Sequence, residues 1–129
     1  MARKKSPTLT DAELRIMSVI WDSGPATVSE VVERLGPNNR LAYNTVLTTM
    51  RILEQKGHLM RRKEGRAHVY VARVTRDQAQ RKAVRHMVSS FFNDSPELLL
   101  LSVLESEHLS AEELQRLRDM IQQSEKREK

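Results

Sequence analysis

Asn44, Thr45, Thr48, Thr49 and Arg51 lie within a single stretch, RLAYNTVLTTMRILEQKG, at residues 40–57. At helical spacing Asn44, Thr48 and Arg51 share one side, with Thr45 and Thr49 at its edges. Val46, Met50 and Leu53 share the other side, which Leu47 widens. Short hydroxyl and carboxamide side chains reach base edges, and a guanidinium pairs with phosphate, so this face suits the groove of a nucleic acid. It equally suits the wet face of an ordinary amphipathic helix. Gly57 is placed to end the helix in a left-handed cap.

A second group of candidates follows directly. Residues 59–63 (LMRRK) and 67–72 (AHVYVA) alternate as strands do, and Glu64, Gly65 and Arg66 join them into a hairpin. Arg61, Arg62, Lys63 and Arg66 crowd its tip. Edge strands are often charged against aggregation, but four cations around a single Glu exceed that need and suit phosphate contact. The arm at residues 1–8 adds Arg3, Lys4 and Lys5, which serve either as phosphate contacts or as a solvated tail.

Catalytic chemistry finds little support. Glu105, Glu107 and His108 can be drawn as a metal cluster and Ser110 as a nucleophile, yet they read as a helix end, a turn and a cap. His58, His68, His86 and His108 have no ligand spacing, and there is no cysteine for a disulfide, a thiolate nucleophile or a thiolate metal site. No enzyme activity, metal or cofactor is expected.

The 129 residues accommodate one domain with an appendage, or two small modules. Charge is divided unevenly: residues 1–75 hold 13 Lys/Arg against 7 Asp/Glu, a net of +6, whereas residues 76–129 hold 9 against 10, a net of −1. A polyanion-binding half joined to a half with another task gives this asymmetry. No apolar run approaches the ~20 residues that span a bilayer, and no apolar segment follows the basic start, so no signal peptide or membrane insertion is expected. The expected location is cytoplasmic.

The elements that must position these side chains follow in order. Thr10 to Glu13 forms a capping box, opening a first helix whose buried stripe reads Leu14, Met17, Ile20 and Trp21, and Ser23, Gly24 and Pro25 end it. Thr27 to Glu30 forms a second box before a helix with Val28, Val31, Val32 and Leu35 inward. Residues 36–39 (GPNN) turn the chain into the third helix. Helix, turn, helix, turn, helix and a basic hairpin make a winged helix-turn-helix with its third helix in the recognition role. Leu41 and Ala42 are poor N-caps, so the third helix is expected to present orphan amides to a phosphate, unless Asn39 caps it.

Thr75 caps a further helix, with Ala79, Ala83, Met87 and Phe91 in a narrow seam. Residues 93–96 (NDSP) break it, with Ser95 as cap and Pro96 at the first helical position. The segment at 98–104 (LLLLSVL) is apolar nearly all round, and Ser110 caps a last helix with Leu114, Leu117 and Ile121 on one face. Each buried leucine contributes roughly 1.5–3 kcal/mol, and so small a unit cannot cover them alone. A twofold partner is the simplest cover, with Met87, Phe91, Leu98, Leu100, Leu101, Leu104, Leu117 and Ile121 at the interface; packing onto the first domain is the alternative. The expected fold is mostly α with a small β-hairpin wing. Its domains are a basic arm (1–8), a winged-helix DNA-binding domain (9–74), a helical dimerisation domain (75–124) and a charged tail (125–129).

LTDAELRIM at 9–17, IW at 20–21, LAYNTVLTTMRILEQKG at 41–57, EGR at 64–66 and HVY at 68–70 together resemble the penicillinase repressor family. The likeness runs from about residue 9 to 121 and rests on the order and spacing of these motifs. It implies a dimeric winged-helix repressor that binds double-stranded inverted-repeat operators of the TACA/TGTA kind. It implies base reading by Asn44, Thr45 and Thr48, and orientation against the backbone by Tyr43 and Arg51. It also implies wing contacts by Arg61, Lys63 and Arg66; Thr49 and Arg62 complete the expected backbone set. In the best-known branch a membrane sensor of β-lactams triggers proteolysis in the dimerisation region. The Asn-Phe step cut there corresponds to Ser102 and Val103 here, a candidate cleavage region of different protease specificity. The copper-responsive sister branch uses cysteine pairs, which this chain lacks. The rival readings are a winged helix for RNA or protein contact, and an activator rather than a repressor. Low aromatic content speaks against single-strand stacking, and steep salt dependence on a palindromic duplex favours the repressor over a protein partner.

Overall fold

Reciprocal capping sets the helix starts in this computed structural model, which describes residues 8–127. In α1 (Asp11–Ser23) the Thr10 amide donates to Glu13 Oε1 at 2.8 Å and the Glu13 amide to Thr10 Oγ1 at 3.2 Å. In α2 (Val28–Arg34) Thr27 and Glu30 repeat the exchange at 2.9 and 3.2 Å. Each box satisfies two amides that a helix start leaves without partners. Gly24, at φ 87°, ends α1 in a conformation that few other residues adopt.

A short 3₁₀ turn (Pro37–Asn39) leads into α3 (Tyr43–Gln55). Its far end is a Schellman motif: the Gly57 amide donates to the Glu54 carbonyl at 3.0 Å and the His58 amide to the Leu53 carbonyl at 2.9 Å, with Gly57 at φ 85°. The chain then enters an antiparallel hairpin of β1 (Leu59–Glu64) and β2 (Ala67–Ala72), in register from Leu59 opposite Ala72 to Glu64 opposite Ala67. The two-residue loop has Gly65 at φ 61° and Arg66 at negative φ, the pattern that favours glycine at the first position of a tight hairpin. Ala26 adds a bridge to the hairpin edge, exchanging amide and carbonyl bonds with Tyr70 at 3.1 and 2.8 Å.

Two compact units result, one ending at Met87 and the other starting at Val88. The first contains the core: Ile16, Met17 and Ile20 from α1, Val28 and Val31 from α2, Val46, Met50 and Leu53 from α3, and Leu59 and Tyr70 from the hairpin. Here the stripe expected on α1 needs correction. Leu14 is 47 % exposed, and the buried face is Glu13, Ile16, Met17 and Ile20. That face packs Ile16, Met17 and Ile20 into the core, and on it Lys56 Nζ donates to Glu13 Oε1 at 2.9 Å. Leu14 instead lines a shallow cleft with Leu9, Trp21, Ala79 and Ala83.

α4 (Arg76–Phe91) starts in a third reciprocal box, Thr75 with Gln78. Its first turns belong to the first unit. Trp21 Nε1 donates to the Val74 carbonyl at 2.9 Å, and Arg76 lies over the indole, 5.3 Å from its centroid, while bonding Asp22 at 2.7 Å. The expected boundary at 74/75 therefore differs from the division after Met87.

In the second unit Asn93 and Asp94 take positive φ (49° and 60°) and break the helix, as short polar side chains permit. α5 (Pro96–Ser106) starts with Ser95 Oγ accepting from the Leu98 amide at 3.2 Å and Pro96 in the first turn. α6 (Ala111–Arg127) starts in a Ser110–Glu113 box. It continues to Arg127, past the point where a charged tail from residue 125 was expected; Lys126 and Arg127 in the last turn oppose the negative end of the helix dipole.

Candidate nucleic-acid interface

The site is built on α3 and the hairpin. Val46, Met50 and Leu53 are fully buried, which fixes the rotation of α3 and turns Asn44, Thr45, Thr48 and Arg51 outward; Thr49 is half-buried at the edge. Tyr43 is exposed at the first turn. The start of α3 carries no side-chain cap: Ala42 occupies the N-cap and Asn39 makes no capping bond. Its first amides therefore have no intrahelical or side-chain acceptor of the kind that Thr10 and Thr27 provide.

Arg61, Arg62, Lys63 and Arg66 all lie exposed on the hairpin. They are not equivalent. Arg61 Nε bonds Glu54 Oε2 at 3.0 Å, tying β1 to the last turn of α3. Arg62 pairs with Glu64 at 3.0 Å. Lys63 and Arg66 have no ion pair among the described residues, which makes them the two unengaged cations of the tip. Arg3 and Lys4 lie outside the described residues.

Between the start of α2, α3 and the hairpin runs a cleft of ≈ 350 Å³ whose walls include Thr27, Ser29, Tyr43, Arg51, Arg61 and His68. It brings Tyr43 and Arg51, named from the sequence, together with Arg61 of the wing. It also adds Thr27, Ser29 and His68, which sequence reasoning missed. His68 had one available signal: it stands opposite Lys63 in the hairpin register, so alternation places both on one face. Ser29 had none beyond its place inside a capping box.

The residues expected to meet a partner in the second half are open to solvent. Phe91 is 75 % exposed, and Met87, Leu98, Leu100, Leu101, Leu104 and Ile121 are exposed as well, whereas Leu117 is half-buried. Ser102 and Val103 are helical, in the middle of α5, and the Ser102 carbonyl accepts from Ser106 Oγ at 2.6 Å. Among the described residues no three His, Cys, Asp or Glu side chains gather to hold a metal ion, and no helix is long and apolar enough to cross a membrane.

Comparison with known proteins agrees with this geometry. The family model described as penicillinase repressor matches residues 9–123. The chain is 30 % identical to a penicillinase repressor of Bacillus licheniformis over 126 residues, covering 98 % of both chains. It is 23 % identical to the methicillin resistance regulatory protein MecI of Staphylococcus aureus strain N315, covering 91 % of this chain and 95 % of the other. Among solved structures, the DNA-binding domain of the repressor BlaI superposes with a TM-score of 0.50 at 34 % identity, covering 59 % of this chain and 93 % of that one. A mostly helical chain with a two-stranded wing, matched over nearly its whole length, belongs to the penicillinase repressor family.

Proposed function

We propose that this chain is a transcriptional repressor that binds an inverted-repeat operator in double-stranded DNA as a homodimer. One observation carries the reading: the face of α3 opposite Val46, Met50 and Leu53 is a row of exposed short polar side chains, flanked by unengaged cations on the hairpin. Asn44, Thr45 and Thr48 reach base edges in the major groove, and Tyr43, Thr49 and Arg51 set the helix against the backbone. Lys63 and Arg66 bind phosphates across the groove, with Arg61 and Arg62 released from Glu54 and Glu64 as they engage. The uncapped start of α3 takes a further phosphate on its orphan amides. The named relatives, a penicillinase repressor and a methicillin resistance regulator, support repression as the outcome.

Dimerisation through α4, α5 and α6 covers the apolar side chains left open in the second unit and pairs two reading heads on inverted half-sites. Release follows when a regulatory protease, directed by a membrane sensor, cuts near Ser102 and Val103. Because these two residues are helical, cleavage requires α5 to unwind first, and the signal acts by making it do so.

A gel-shift titration against the chain's own upstream DNA, with random duplex as competitor at two salt concentrations, tests the reading. Selective, salt-sensitive retention at two protomers per site supports it. Retention without selectivity reduces it to general DNA binding, and no retention at either salt overturns it in favour of a protein partner.

A further inference from the structure

On the first unit, at the root of the hairpin, lies a cleft of ≈ 300 Å³ that the DNA reading does not use. It is lined by His58, Arg73, Val74, Gln78, Ala79 and Lys82. His58 precedes β1 and Arg73 follows β2, and the two are joined by the Arg73 amide donating to the His58 carbonyl at 2.9 Å. Gln78 and Lys82 come from the first turns of α4.

Three features make this more than a surface hollow. His58 is only 6 % exposed, and its Nδ1 is enclosed with no hydrogen-bond partner, a costly arrangement for a polar atom. Among the described residues Arg73 and Lys82 have no ion pair, although six other cations there are paired with carboxylates. No carboxylate lines the cleft. Glu13, the one buried carboxylate among the described residues, is already taken by Lys56 and Thr10. Burial, then Lys82 and Lys56, lowers the His58 pKa against a smaller opposing pull from Glu13. The size is at the lower end for a small-molecule site.

We propose that this cleft binds a small oxyanion, a carboxylate or phosphate group held between Arg73 and Lys82, with the His58 imidazole as a further donor. Charge-assisted bonds from a guanidinium and an ammonium are strong enough to hold such a group at the edge of a protein. An occupant bridging Arg73 and Lys82 fastens the end of the wing to the second turn of α4. The site thereby becomes an effector position, chemically separate from the row on α3.

The test is titration of inorganic phosphate into the full chain at constant ionic strength, with chloride as the balancing anion, followed by amide and imidazole NMR shifts. Saturable shifts confined to residues around His58, Arg73 and Lys82 are expected, with the His58 ring moving toward its protonated form. Lys82→Met, an exposed change that leaves the fold intact by thermal melt, weakens phosphate about tenfold, as loss of one charge-assisted bond implies. Citrate in place of phosphate separates the two sources of the oxyanion, since a carboxylate effector competes where a phosphate-only site does not. Shifts that never saturate, that spread over all basic residues, or that survive Lys82→Met overturn the proposal. So does a Lys82→Met variant that loses affinity for every duplex while the wild type shows no saturable phosphate binding, because Lys82 is then a DNA contact.

Discussion

Lys56 Nζ and Glu13 Oε1 meet at 2.9 Å with side chains 8 % and 3 % exposed, joining the start of α1 to the C-cap of α3. The pair lies on the buried face of α1 and ties it to the end of the helix that carries the reading face. Breaking a buried pair by removing one partner leaves the other charge uncompensated, at a cost of about 3–5 kcal/mol. Lys56→Met is therefore expected to lower the urea midpoint sharply, whereas Glu13→Gln with Lys56→Met recovers much of the loss. A double variant as unstable as the single one would show that the pair itself is not what the fold depends on.

Acid sensitivity follows from the same corner of the molecule. Burial acts to raise the Glu13 carboxyl, but bonds from the Thr10 amide and Lys56 and the Lys56 charge outweigh it, and the net pKa lies below the ordinary 4.5. His58 also lies below its ordinary 6.5, through burial first and then Lys82 and Lys56. Both groups release protons more readily folded than unfolded. Their stabilisation is present above the unfolded values and is lost as pH falls through the folded ones. Unfolding free energy is expected to decline in two stages, the first starting below about pH 6.5 from His58 and the second below about 4.5 from Glu13. His58→Phe abandons no side-chain hydrogen bond but puts a somewhat larger ring in a buried site, so it costs about 1–3 kcal/mol near pH 8. It removes the first stage. An unchanged decline between pH 6.5 and 5 in that variant would exclude His58 as its source.

Much of this arrangement is legible in the sequence because its causes are local. The boxes at Thr10, Thr27, Thr75 and Ser110 need only three-residue spacing, and the Gly57 cap needs only the absence of a Cβ. The outward row on α3 follows from where Val46, Met50 and Leu53 repeat. What was not legible depends on distant partners. With Met17 and Ile20 buried, a helical stripe can be completed by positions 14 and 21 as well as by 13 and 16; the structure buries 13 and 16, and the partner of Glu13, Lys56, lies 43 residues away. The bonds of Arg61 to Glu54 and of Ala26 to Tyr70 arise only once the hairpin folds back. Thr27, Ser29 and His68 join the cleft beside Tyr43 for the same reason.

The unequal cations of the wing give a graded expectation. Lys63→Ala and Arg66→Ala remove cations with no internal partner, and each is expected to weaken operator and random duplex alike and to reduce the salt slope by about one. Arg62→Ala weakens both duplexes as well, but by less, since Arg62 must first leave Glu64. Glu54→Gln frees Arg61 and is expected to strengthen non-specific binding. Filter binding across a salt series reads all four. Equal slopes for Lys63→Ala and the wild type would remove the wing from the interface.

Thr48 and Lys63 are expected to separate specificity from affinity. Thr48 sits outward at the middle of α3, so Thr48→Ala should cost about 1–3 kcal/mol on the operator and little on random DNA. Equal losses on both duplexes would sink the assignment of α3 as the reading helix.

The open apolar side chains of α4 and α5 make the last prediction the most exacting one. Leu101 is exposed on a helix that is apolar nearly all round, and Phe91 is more exposed still. If a second copy covers them, a substitution at Leu101 is felt twice across a twofold axis. At roughly 1.5–3 kcal/mol for each leucine side chain, Leu101→Glu should weaken the dimer at least about a hundredfold. Sedimentation equilibrium is expected to show the variant as a monomer at concentrations where the wild type is a dimer. The variant should still bind a single half-site, because α3 and the wing belong to the other unit. A wild-type chain that stays monomeric at every concentration and on DNA would mean that the apolar surface is covered within one chain, and the twofold reading of the operator would fall with it.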